Sequence, residues 1–240
     1  MPNHFFQFKQ FVIHQDRCAM KVSTDSCLFG AWLSKTIIPS LPNITSALDV
    51  GAGTGLLMLM MVQRHHFSID GIELNEDAYQ QALSNINASE WKNRLSLFHG
   101  DVREFIFDKT YDLIISNPPF YEDDLLPDSV SKATAKHDTA LRFEALLDVI
   151  ETNLTFEGFF ALLIPYHRFE YLKELSLLKG FNLHYVVHVR HQEDHSFIRS
   201  MVLLSRQSMS THFQIFTIKE KNGSYTNEFT ELLKEYYLYL

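Results

Sequence analysis

The stretch SALDVGAGTGLLMLMMV, residues 46–62, restricts the possible folds more than any other part of the chain. A short apolar run stops at alternating glycines, Gly51, Gly53 and Gly55, and an apolar helical stretch follows at once. A buried strand is therefore predicted to turn into a helix through a loop whose backbone can lie against a ligand. The free N–H groups of the helix start would sit beside it. The spacing Gly-x-Gly-x-Gly departs from the Gly-x-Gly-x-x-Gly fingerprint of dinucleotide sites, which disfavours a dehydrogenase.

The same alternation continues along the chain. Strands are expected over 68–74, 94–101, 111–117, 159–165 and 183–190, with helices over LLMLMMVQRHH, EDAYQQALSNINAS, 142–154 and 169–178. SMVLLS, 200–205, reads as the hairpin partner of 183–190. Strands that alternate with helices imply a parallel sheet covered on both faces, and near-continuous apolar strands agree with that burial. FFQFKQFVIHQ, near the start, reads as a strand or hairpin arm, TDSCLFGAWLSKTI as a helix, and NEFTELLKEYYLYL as a terminal amphipathic helix. Met58, Met60 and Met61 read as core. With 240 residues, no repeat and no linker, residues 1–240 are expected to form a single domain, 1–45 being an N-terminal arm and helix.

Two acids fall in register with the glycine loop. Glu73 ends the second strand, where a carboxylate can accept both hydroxyls of a ribose. Asp101 ends the third, where it can accept from an adenine amino group. Either acid alone could be a helix cap or a solvated loop residue; together with the loop they point to a nucleoside cofactor.

The fourth strand runs into Asn117-Pro118-Pro119-Phe120. Prolines cannot extend a central strand, so the chain stops there in a rigid loop beside the cofactor pocket. An exocyclic amine on a planar base is a poor nucleophile, because its lone pair is delocalised into the ring. Two acceptors on its hydrogens would favour a pyramidal nitrogen with the lone pair free. The Asn117 side-chain oxygen and the Pro118 carbonyl can serve, held rigid by the prolines, while Phe120 stacks on the base. The alternative is an ordinary Asn-Pro turn; its place behind a glycine loop favours the catalytic reading.

These motifs, LDVGAGTG, GIEL, GD and NPPF, resemble the class I S-adenosylmethionine-dependent methyltransferases that modify planar amino groups. The segment FKQFVIHQDRCAMKVSTDSCLFGAWL is similar to the start of the bacterial tRNA adenine-37 N6-methyltransferase family that acts on a valine tRNA, and extends the likeness to nearly the whole chain. The resemblance implies a Rossmann-like α/β fold with a mostly parallel seven-stranded sheet and an antiparallel C-terminal hairpin. It implies S-adenosylmethionine as cofactor, with Thr24, Asp25, Asp49 and the loop Gly51, Gly53 and Gly55 at its methionine end. Glu73 would take the ribose and Asp101 the adenine, with Asn117 adjoining. The substrate would be tRNA.

An RNA substrate needs a cationic footprint, although the net charge is −8. Residues 1–24 hold Lys9, Arg17 and Lys21 against the single acid Asp16, interleaved with Phe5, Phe6, Phe8 and Phe11. At least two of those rings are expected to be core. The long segment 121–141 adds Lys132 and Lys136, with Arg142 just after; Glu122, Asp123 and Asp124 read as a solvated loop tip that opposes a phosphate backbone.

Other classes are weighed down by the same residues. His188, His191 and His195 with Glu193 and Asp194 span a strand, a turn and the next strand, which disperses them, so no metal is expected. Cys18 and Cys27 read as reduced thiols of a cytosolic protein; no membrane span and a monomer are expected. The rivals are the same loop acting on guanine N2 of ribosomal RNA, on DNA adenine or on a protein glutamine, and an RNA-binding assembly factor that keeps the fold without catalysis.

Overall fold

A computed structural model describes residues 4–18, 20–41, 43–118 and 142–240. Ala19, Pro119, Phe120, Lys132, Lys136 and the acidic cluster 122–124 lie outside the described residues.

The alternation of apolar segments resolves into one eight-stranded sheet in the order β10-β8-β9-β7-β6-β3-β4-β5. Its strands are β3 (Ser46–Val50), β4 (Ser68–Glu73), β5 (Leu95–His99), β6 (Tyr111–Ser116), β7 (Leu154–Pro165), β8 (Asn182–Arg190), β9 (Phe197–Ser205) and β10 (His212–Thr217). All neighbours run parallel except β9, which lies antiparallel between β7 and β8.

Among the described residues the sheet has eight strands where seven are expected, and the additional one is β10. It pairs with β8 at the sheet edge, and its residues His212 to Ile215 are all exposed. An edge strand exposed on both faces over its first four residues carries little of the burial that the inner strands share.

Side chains of the central strands alternate between two cores, as a period of two requires. Ala47, Leu113, Ile115, Ala161 and Leu163 face one side. Leu48, Val50, Ile114, Phe160, Leu162 and Ile164 face the other. The first core is covered by α1 (Thr24–Trp32) and α2 (Leu56–Val62), whose Met58, Met60 and Met61 are fully buried. The second is covered by α4 (Phe143–Asn153) and α5 (Phe169–Leu178). The remaining helix of the cofactor half, α3 (Glu76–Asn87), starts at an Asn75 cap whose side chain accepts from Ala78 N.

The N-terminal arm is a hairpin of β1 (Phe5–Gln7) and β2 (Val12–His14). Phe8 and Phe11 are the two rings that go into the core, stacked at 4.5 Å, whereas Phe5 is 48% exposed. The terminal helix expected over 227–240 is shorter: α6 spans Asn227–Leu233 behind a Thr226 cap. Beyond it the chain turns to bury Tyr236 and Tyr237. Tyr236 OH donates to Met60 O at 3.0 Å, and Phe8 bridges Tyr237.

Candidate active site

In a parallel sheet the carboxyl ends of the strands meet at one edge, and here β3 lies between β4 and β6. Val50 pairs with Ile72 on one side and Ser116 on the other. The glycine loop, Glu73 and Asn117 therefore leave the sheet side by side.

Gly51, Gly53 and Gly55 have φ of +76°, +57° and +79°, a left-handed backbone that side chains rarely tolerate. Gly51 N and Ala52 N donate to Ile72 O at 2.9 and 3.1 Å, which folds the loop back over β4. A Cβ at Gly51 would meet nothing within 4 Å, and one at Gly53 only Gly51 O at 3.9 Å. Those two positions border open space. A Cβ at Gly55 would instead lie 3.6 Å from Ala82 Cβ of α3, so that glycine serves packing.

Glu73 braces this loop. Its Oε2 accepts from Gly53 N at 2.8 Å and its Oε1 from Asn75 N at 2.9 Å. Asp101 follows β5 and accepts from Arg103 Nε at 2.9 Å and from Arg103 N at 2.9 Å. Those hydrogen bonds hold its pKa below the usual carboxylate value.

Asp49 is the unusual acid. It is 1% exposed, on the β3 face covered by α1 and α2, and neither carboxyl oxygen has a hydrogen-bond partner among the described residues. Burial, and then the neighbouring Glu73 charge, push its pKa up to about 8. A buried carboxyl without a donor calls for one. Asp49 keeps its proton at neutral pH with Glu73 beside it, so a ligand with positive charge, which would draw that proton off, suits the loop better than the pyrophosphate of a dinucleotide. The residues present thus fit a cofactor that carries a sulfonium and an ammonium group, and Asp49, the glycine loop and Glu73 could hold it.

Asn117 leaves the end of β6, where Ser116 Oγ donates to Val50 O at 2.6 Å. Its Nδ2 donates to Ser26 Oγ at 2.9 Å. Among the described residues nothing bonds its Oδ1. Pro118 is buried behind it.

Thr24 and Asp25 open α1, within the same cluster as Ser26. The Asp25 carboxylate accepts from Arg199 Nε of β9 at 2.8 Å through Oδ2 and from Ser23 Oγ through Oδ1. Neither Ser26 nor Arg199 stands out in the sequence as a partner of these groups. Asn117 is 91 residues from Ser26, and Asp25 is 174 from Arg199, so no local spacing signals either contact.

Of the arm cations, Lys9 Nζ donates to Lys234 O at 2.5 Å, and Lys21 Nζ donates to Gln15 O. Arg17 is exposed, and its backbone N donates to Gln81 Oε1 at 3.1 Å. Arg142 is exposed at the start of α4. On the same sheet edge as Asn117 stand Arg190, at the end of β8, and Arg199, at the start of β9.

His188 is enclosed by Tyr166, Phe169 and Phe197, with its Nδ1 at 2.9 Å from Ser200 Oγ. Among the described residues no group of three or more His, Cys, Asp or Glu could hold a metal ion, and no described helix is long and apolar enough to cross a membrane. Cys18 and Cys27 are free thiols, both buried.

A family model described as "Methyltransferase small domain" matches residues 31–146. The tRNA1(Val) (adenine(37)-N6)-methyltransferase of Dyadobacter fermentans is 39% identical, over 99% of this chain and 99% of that protein. The protein of the same description from Flavobacterium johnsoniae is 39% identical over 97% and 99%, and that from Photorhabdus laumondii 33% over 98% and 95%. Solved structures share the fold at low identity. A predicted O-methyltransferase from Agrobacterium tumefaciens superposes with a TM-score of 0.67 at 13% identity, over 88% of this chain and 96% of that one. The methyltransferase subunit of a type I restriction-modification system from Streptococcus thermophilus gives 0.61 at 15%, over 90% and 52%.

Proposed function

We propose that this chain, which belongs to the tRNA1(Val) (adenine(37)-N6)-methyltransferase family, transfers a methyl group from S-adenosylmethionine to N6 of adenine 37 in a valine tRNA. The observation that carries the chemistry is Asn117, whose amide is tethered by Nδ2 and, among the described residues, presents a free Oδ1 next to the glycine loop.

S-adenosylmethionine, when bound, supplies a methyl group on a sulfonium that leaves as a neutral thioether. The chain's own residues do the rest. Asn117 Oδ1 and the Pro118 carbonyl accept the two N–H bonds of the amine, so that its lone pair is turned out of the ring. No strong base is required, because the nitrogen becomes acidic only once methylated and then loses its proton to water. That accounts for an amide where proton-abstracting enzymes place a histidine or carboxylate.

In this reading Asp49 and the loop Gly51 to Gly55 take the positively charged methionine end, with Thr24 and Asp25 at its margin. Glu73 takes the ribose: two of its lone pairs are used by the loop and others remain. Asp101 takes the adenine amino group while Arg103 keeps it ionised. Phe120 stacks on the target base, with Pro119 stiffening the loop, after the base leaves its own stack. Lys9, Arg17, Lys21, Lys132, Lys136 and Arg142 meet the tRNA backbone. Residues 1–240 act as one methyltransferase unit, as a monomer, in the cytoplasm.

The test is mass spectrometry of tRNA nucleosides from cells with and without the gene, joined to methylation of a valine tRNA transcript by purified protein. N6-methyladenosine at position 37 should depend on the gene, and free adenosine should be left untouched. Methyl transfer to guanine N2 of ribosomal RNA, or to a protein glutamine, would overturn the substrate while leaving the role of Asn117.

A further inference from the structure

We infer that Ser26 is a positioning residue for methyl transfer: it holds Asn117 by Nδ2 and so keeps Oδ1 turned toward the substrate nitrogen. The inference rests on the role proposed above for Asn117. A primary amide has one accepting and one donating end, and the two can exchange by a half-turn of the side chain. With Oδ1 outward the amide accepts from the substrate amine; reversed, it would set N–H against N–H. Catalysis therefore needs a neighbour that accepts from Nδ2 and does not donate to Oδ1.

A hydroxyl can do either, so the direction of Ser26 must come from elsewhere. Its Oγ lies 2.8 Å from Ser23 Oγ. Ser23 Oγ in turn donates to Asp25 Oδ1. An ionised carboxylate only accepts. Ser23 spends its proton on Asp25, Ser26 spends its proton on Ser23, and Ser26 is left with a lone pair for Asn117 Nδ2, at 2.9 Å. Arg199 Nε donates to Asp25 Oδ2 at 2.8 Å and fixes that carboxylate in place. The polarity runs one way from Asn117 through two hydroxyls to an ion pair. Ser26 itself is 8% exposed, which limits the access of water to its bond with Asn117, while Ser23 beyond it is exposed.

The experiment compares wild type, Ser26→Ala and Ser26→Thr in single-turnover methylation of a valine tRNA transcript with both substrates saturating. It adds calorimetric S-adenosylmethionine affinity and the NMR signals of the Asn117 side-chain amide, identified as those missing from Asn117→Asp. Ser26→Ala should slow the chemical step by about 10–100-fold, the scale of a misplaced reacting group. KM for tRNA and cofactor affinity should stay within about twofold, and the Asn117 amide proton facing Ser26 should move to the position of a solvent-exposed amide. Ser26→Thr, which keeps the hydroxyl, should restore most of the rate. A normal chemical step in Ser26→Ala, unmoved Asn117 signals, or a loss explained by cofactor affinity alone would overturn the inference. If wild type transfers no methyl to tRNA, the substrate reading falls, and the Asn117 signals alone decide whether Ser26 holds the amide.

Discussion

Asn117 and Asp49 are polar groups whose unused atoms define what the site can take. Asn117→Ala removes one acceptor from the reacting amine and leaves the glycine loop intact. The rate should fall about 10²–10³-fold, the cost of losing one pre-organised hydrogen bond, with cofactor affinity little changed. Steady-state kinetics with calorimetry checks both halves, and near-normal turnover would sink the role. Asp49 makes a prediction about pH. Its pKa in the free protein, about 8, lies above the ordinary 3.8, so the folded chain retains a proton that the unfolded chain loses. The stability this contributes is fully present below about 3.8 and is lost as pH rises through about 8. A cationic ligand beside the carboxyl reverses the preference and expels the proton. Affinity for S-adenosylmethionine should therefore rise toward pH 8, by at most about tenfold per unit. Calorimetry in two buffers of different ionisation heat should detect proton release; its absence would place the positive charge elsewhere.

At the scale of elements, the site depends on segments that anchor each other across the chain. The arm is fastened by Lys9 N donating to Tyr236 O at 2.8 Å and by the Phe8–Tyr237 bridge. Helix α1 packs on α2 through Gly30, where a Cβ would lie 2.6 Å from Met60 Sδ. That close approach sets the depth of Ser26. Phe8 is fully buried between Phe11 and Tyr237, at 4.5 and 6.0 Å. Phe8→Ala should cost about 3–5 kcal/mol by urea denaturation, since it empties the joint between arm and tail. A loss below about 1 kcal/mol would mean that the joint is not part of the cooperative unit.

For the whole molecule the question is how a chain of net charge −8 approaches a polyanion. Asp49, Glu73 and Asp101 lie at or just after the ends of β3, β4 and β5, on one half of the sheet edge, and Arg190 and Arg199 stand on the other half of that edge. Local cations, and not the net charge, then govern contact with RNA. Binding of valine tRNA should weaken as salt rises. The double variant Lys9→Ala with Arg17→Ala should flatten the slope of log affinity against log salt by about 0.9 for each phosphate it no longer neutralises. Filter binding across a salt series measures it. An unaltered slope would remove the arm from the RNA footprint and leave the arginine side of the edge.

What the sequence by itself determined is everything carried by local periodicity and local chemistry. The buried strands announce themselves as apolar runs, and the left-handed turns at Gly51 and Gly53 need residues without a Cβ. The stop at Asn117-Pro118 needs a residue that cannot pair. A parallel sheet follows, because alternation leaves it as the way to bury both faces, although the order of its strands does not. Only the tertiary structure decided the rest. The exposed edge strand β10 has too little apolar burial to stand out. The tail could continue as helix on its own pattern, but Tyr236 and Tyr237 gain more by burial against the arm. The orientation of Asn117 is set through Ser26, Ser23 and Asp25 by Arg199 on a distant strand. Hydrogen bonds between residues so far apart in the chain impose no spacing on it, so they become visible only when the sheet brings its strand ends together.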